Sequence, residues 1–239
     1  MNTVRRSIWV LAVCVLLSAC VAAPKVAMNP ETRKSVKRIA LVTAPEPAEY
    51  AMFPGQAPGG AVLYMFGALG GAILGGIEAS RYNEAMLRFT TALKPLQPEL
   101  SSQFLARLES GLTGKGYEVV RVPVPPKNAE GNDLDYTKVQ GSFDAILSPV
   151  LMAGYANDAG AVAPRVSVGV ALVSKNGTEK LFSDTYLYGL RKVGDLVHIE
   201  PDTRFRVKTV DDVYLDVRLA LEGMRTGTDK IAERIVAEL

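Results

Sequence analysis

The sequence is poor in the side chains that carry most covalent and metal chemistry. It has one histidine and two cysteines among 239 residues. A zinc site assembled from His and Cys needs more ligands than that, and a disulfide framework needs several paired cysteines. His198 is the only imidazole, so a Ser-His-Asp hydrolase would have to use it. No Gly-x-Ser-x-Gly elbow accompanies it, and it reads as a structural histidine. Charge of one sign is also missing. The 27 Lys and Arg are set against 25 Asp and Glu, too even a balance to signal nucleic-acid binding. No repeat of solenoid length is visible. With 48% hydrophobic and 22% charged residues, the chain has the composition of a globular protein with apolar sequence added. It is long enough to bury a real core.

The apolar addition begins at the amino terminus. Arg5 and Arg6 precede an uncharged run from Ile8 to Leu17, and Leu17-Ser18-Ala19-Cys20 follows at once. The run is too short to span a bilayer as a stable anchor. Basic start, short apolar stretch and small residues before a cysteine resemble a bacterial lipobox. The resemblance implies cleavage before Cys20 and acylation of that residue, with residues 1–19 a discarded signal peptide. It leaves 220 residues in which Lys and Arg equal Asp and Glu, so the basic isoelectric point belongs to the precursor. Cys14 departs with the signal and Cys20 carries lipid. Several acyl chains hold a protein firmly on a membrane, at about 0.8 kcal/mol per buried methylene. Val21 stands where an Asp would mark retention in the inner membrane, which implies the outer membrane, with the chain facing the periplasm.

Beyond Cys20, residues 20–35 are small, polar and mixed, and read as a tether; 36–239 read as one domain. Val36–Val42 is a strand candidate. From Tyr50 to Ile77 there is no charged residue, and Gly67, Gly71 and Gly75 recur every fourth position within 57–77. On a helix they share one face, a surface that lets another backbone approach closely. Glycine costs about 1 kcal/mol per position in a water-exposed helix, so this insert needs packing or lipid. Insertion into a membrane, an oligomer contact and internal packing all satisfy that need; the other reading is a flexible loop within the domain.

Glu78–Leu93 and Glu99–Leu112 carry helical stripes, with Gly114 and Gly116 as the cap of the second. Tyr117–Val122 is a strand, 123–135 a Pro-rich loop, and Phe143–Met152 a buried strand with a bend expected at Pro149. Residues 153–164 look like a loop. Val166, Val168, Val170 and Leu172 alternate, and Asn176-Gly177 signals a type I′ hairpin turn returning through Glu179–Tyr188. Residues 189–208 look irregular. Asp211–Leu239 is helical, with a break expected around Gly223 and Gly227. The order predicts an α/β fold, a mixed sheet with helices on one face, plus a Gly-rich apolar helical insert.

The stretches KRIALV, GKGYEVV, FDAILSPVL and VALVSKNGTEKLFSDTYLYG resemble the TolB amino-terminal domain and the related curli-secretion lipoproteins, across Val36 to Tyr188 apart from the insert. The resemblance implies an envelope role and brings no catalytic residues.

Other candidate chemistry has plainer explanations. Gly111-Leu-Thr-Gly-Lys-Gly116 lacks the phosphate-loop spacing and reads as helix capping. Asp211, Asp212 and Asp216, with Glu200 and Asp202 nearby, lack a calcium-loop pattern and suit a helix amino terminus. Tyr136, Tyr155, Tyr186, Tyr188 and Tyr214 suit a core and cross-strand pairs. Arg165, Arg191, Arg204 and Arg206 are interspersed with acids and suggest a solvated face. The expectation is therefore a non-enzymatic envelope lipoprotein, structural or assembling, without cofactor, metal or nucleic acid. Its membrane contact would run through acylated Cys20, and a second copy or an envelope protein would be its partner. The alternative is a lipid- or small-ligand-binding accessory of an envelope transport system.

Overall fold

The computed structural model describes residues 25–56, 76–131 and 133–239. Cys20, Gly67, Gly71, Gly75 and all but the last two residues of the 57–77 insert lie outside them. A mixed sheet of seven strands organises the rest. These are β1 (Arg38–Val42), β2 (Ala51–Gln56), β3 (Glu118–Val122), β4 (Ala145–Asp158), β5 (Ala161–Ser174), β6 (Lys180–Tyr188) and β7 (Val197–Ile199). The order is β3-β1-β4-β5-β6-β7, with β2 added on β4. Because β5 pairs along the whole of β4, β1 and β2 share its other edge, one at each end. β1 lies parallel to β3 and β4, β2 parallel to β4, and β7 parallel to β6; β4, β5 and β6 form an antiparallel meander.

Helices cover one face, as the element order predicts. They are α1 (Pro30–Ser35), α2 (Gly76–Leu93), α3 (Leu100–Gly114), α4 (Val210–Leu215) and α5 (Val217–Glu238). Ile39, Leu41, Tyr155, Val166, Val168, Val170, Leu172, Phe182, Tyr186 and Tyr188 meet the stripes of α3 and α5 there. Ala40, Val42, Ile146 and Val173 face the other way, under Phe143, Tyr136 and Val139 of the loop before β4.

Several boundaries differ from the sequence reading, each for a physical reason. Residues 153–164, expected as loop, complete β4 and open β5. Their small side chains hide a strand that needs smallness: a β-carbon on Gly154 would lie 2.0 Å from the Ala51 carbonyl oxygen of β2. β4 runs through Pro149 without a register break, so the proline does not interrupt the pairing. The β4–β5 turn is Ala159-Gly160, both at positive φ (52° and 81°), which is the primed geometry of a two-residue hairpin. At the β5–β6 turn only Gly177 has positive φ, 70°. Gly177 N–H donates to Ser174 O at 2.7 Å, so Lys175 and Asn176 are the central residues of a type I turn, not the expected I′. Asn176 Oδ1 fastens this turn by accepting from the hydroxyls of Ser174 and Thr178.

The break in the last helical stretch falls at Asp216 (φ −139°, ψ 79°), whose carboxylate caps α5 at Leu219 N–H, 2.9 Å away. α5 runs unbroken through Gly223 and Gly227 because both face the sheet. A β-carbon on Gly227 would come within 2.6 Å of Tyr188 Cδ1 and 2.9 Å of Val166 Cγ2. The α3 glycines divide similarly. Gly116 (φ 92°) ends the helix, while a β-carbon on Gly111 would meet Val236 of α5 at 2.7 Å, so Gly111 is a packing position and not a cap. The expected tether is folded from Lys25 onward: Val26 pairs with Ser183 of β6, Met28 is buried and α1 follows.

Three substitutions test this packing. Gly227→Leu should lower stability by about 2–3 kcal/mol through overpacking, whereas Gly114→Ala, whose new methyl meets nothing within 4 Å, should raise it by about 0.5–1 kcal/mol; urea midpoints at constant slope measure both. Gly177→Val should cost about 1–2 kcal/mol for left-handed backbone, with a further penalty because its β-carbon would sit 2.8 Å from Tyr136 Cβ; an unchanged melting temperature would contradict the turn.

Candidate functional site

Polar chemistry gathers at three places among the described residues. The first is where the chain enters the domain. Lys25 Nζ lies 2.5 Å from Asp184 Oδ2, with the lysine half exposed and the carboxylate only 4% exposed. Asp184 is on the helix-covered face opposite Val170, and its bond to Lys25 raises the lysine pKa. Val26 and Ser183 exchange both main-chain hydrogen bonds, at 2.8 and 2.9 Å. Next to this edge, α5 ends among cations. Arg33 Nη2 donates to Glu238 O at 2.7 Å and Lys115 Nζ to Ala237 O at 3.2 Å, and Arg234 Nε donates to the Glu238 carboxylate at 2.7 Å. The Tyr186 hydroxyl donates to the other Glu238 oxygen at 2.8 Å. Positive groups at a helix carboxyl terminus offset the partial negative charge of its free carbonyls.

The second place is the base of the β4–β5 tip. Arg165 Nη1 donates to Asp158 Oδ2 at 2.7 Å, with side chains 4% and 5% exposed. Arg165 Nε has no hydrogen-bond partner. Burial pushes the Asp158 carboxyl up and the Arg165 guanidinium down, against their mutual attraction. Arg191 adds positive charge that favours ionised Asp158 and opposes charged Arg165. The pair is therefore a desolvated ion pair whose burial outweighs its attraction. Sequence reading placed Arg165 on a solvated face; the structure buries it. The available signal was a charged residue opening an alternating apolar strand. It was missed because its partner sits in the stretch read as loop.

The third is an open groove lined by Glu200, Pro201, Asp202, Thr203, Arg204 and Arg206. Arg206 bonds Glu200 at 2.8 Å, Arg204 bonds Glu222 at 2.7 Å, and Lys230 bonds Asp202 at 3.0 Å, so Arg204 and Arg206 do sit among acids. His198 Nε2 lies 2.7 Å from Gly189 O, a structural contact. Asp212 forms a capping box with Thr209, whose bonds lower its pKa, and Asp216 caps α5; the acidic cluster is thus two helix starts. Among the described residues, no group of three or more His, Cys, Asp or Glu could hold a metal ion, and no helix is long and apolar enough to cross a membrane.

No protein-family model matches the chain, and no curated protein matches it. A solved structure described as a neuraminyllactose-binding hemagglutinin homolog from Helicobacter pylori is similar, at 11% identity and a TM-score of 0.39. The match covers 92% of this chain and 90% of that one.

The buried pair gives a measurable outcome. Arg165→Met alone leaves Asp158 buried and unpaired and should cost about 3–5 kcal/mol. The double replacement Asp158→Leu with Arg165→Met should recover most of that loss. A double-mutant cycle in urea checks both values, and simple additivity would contradict the desolvated pair.

Proposed function

We propose that this chain is a periplasm-facing lipoprotein anchored in the outer membrane through Cys20, and that it serves as a structural or assembly component of the cell envelope. The observation that carries the reading is Leu17-Ser18-Ala19-Cys20 behind Arg5, Arg6 and a short apolar run. The resemblance to the TolB amino-terminal and curli-secretion lipoprotein type points the same way. So does the state of the polar side chains described above: each carboxylate among them is tied to a cation, a main-chain N–H or a helix start. Such groups hold a fold together and are not poised to transfer protons. In this reading the 57–77 insert supplies the contact with a partner helix, through Gly67, Gly71 and Gly75, either on a second copy or on another envelope protein.

Expression in a bacterial host with intact-mass analysis tests the anchor. The mature chain should lack residues 1–19 and carry acyl mass on Cys20, and Cys20→Ala should accumulate as unprocessed precursor. A mature amino terminus at another residue would refute the reading.

A further inference from the structure

We infer that the domain sits on its membrane in one orientation, with the β6 edge at Lys25 and the carboxyl end of α5 against the headgroup layer and the Ala159-Gly160 tip pointing away. This deepens the anchor reading and rests on it. The argument begins with reach. The chain is docked from Lys25, by the Asp184 ion pair and the Val26–Ser183 main-chain bonds. Five peptide steps separate Cys20 from Lys25, which span at most about 18 Å when fully extended. An acylated Cys20 therefore keeps the bilayer surface close to Lys25.

The same sheet gives the distance to the other end. Ser183, the partner of Val26, pairs with Ala171 of β5, and Val162 of β5 pairs with Asn157 near the hairpin tip. The nine steps from Val162 to Ala171 cover roughly 30 Å of strand. The link holds the Lys25 edge to the surface, and the charge around that edge sets which way the strand rises from it, with the tip roughly 30 Å of strand away.

The charge on the near surface suits phospholipid headgroups. Lys25, Arg33, Lys34 and Arg234 are all exposed there. Lys34 and Arg234 are set against Glu31 and Glu238 and Lys25 against Asp184. Arg33 and Lys115, however, bond main-chain carbonyls and no carboxylate. Both are exposed at the α5 carboxyl end, where they can meet lipid phosphates.

The test uses the acylated full-length protein in vesicles of phosphatidylethanolamine and phosphatidylglycerol containing a headgroup-nitroxide lipid. Fluorophores are placed at Lys34→Cys or Ala159→Cys, both exposed positions; the acylated Cys20 sulfur does not react. Quenching at position 34 should exceed that at 159 by roughly threefold or more, given the roughly 30 Å between the two ends. Equal quenching, or stronger quenching at 159, with acylation of Cys20 confirmed by mass, overturns the orientation and leaves the anchor reading standing. Absence of acyl mass on Cys20 overturns both.

Discussion

The close approach of α5 to the sheet is the contact on which the rest of this fold depends. Gly223 and Gly227 give α5 no side chain where it crosses Tyr155, Val166, Tyr188 and Phe205. The helix backbone lies against the aromatic rings themselves, and Met224, Ile231 and Ile235 fill the space on either side. α3 then packs on α5 through a third glycine contact, Gly111 against Val236. Adding a side chain at any of these positions pushes apart a layer whose dispersion contacts decline steeply with separation. The helix propensity lost to the glycines, about 1 kcal/mol each, is offset by that proximity.

β4 is the second organising element. Its fourteen residues pair with β5 on one edge and serve β1 and β2 in turn on the other. Asp144, just before β4, fixes where β1 begins. Its Oδ2 accepts from Lys37 and Arg38 N–H, both at 2.8 Å. These bonds lower its pKa. A depressed carboxyl contributes stability above its unfolded value that is lost as pH falls through the folded value, so this clamp loosens in acid. Asp158, at the opposite end of the strand, is shifted upward by burial and has the reverse sign.

Periodicity made much of this legible. The Val166–Leu172 alternation, the α3 stripe and the order of elements all led to a mixed sheet with helices on one face. What escaped the sequence were contacts between distant residues. The α3 start at Leu100 was visible after Pro98, but its cap was not: Glu46, in the proline-rich connection, accepts from Leu100 and Ser101 N–H at 2.8 Å each. The glycines of α5 looked like breakers because helix propensity is local and their partners are on other strands. Asn176-Gly177 signalled a turn correctly and its type wrongly, since Asn176 uses its side chain to bond Ser174 and Thr178 instead of adopting positive φ. The small residues of 153–164 carry no alternation to detect, although they form the longest hairpin in the described sheet. The lipobox-like Leu17-Ser18-Ala19-Cys20 and the glycine stripe were explicit in sequence, and both lie outside the described residues.

The tyrosines under α5 make the domain its own optical reporter. Trp9 is the only tryptophan and precedes Cys20, so phenols dominate the near-ultraviolet signal of the described domain. Burial raises Tyr155, Tyr186 and Tyr188, the last to about 12. A phenol raised in the folded state stabilises the fold below its unfolded pKa and ceases to do so as pH rises through the folded value. In alkali the unfolded chain ionises its phenols first, near pH 10. Loss of the α5–sheet contact in alkali then adds these three phenols to the tyrosinate absorbance.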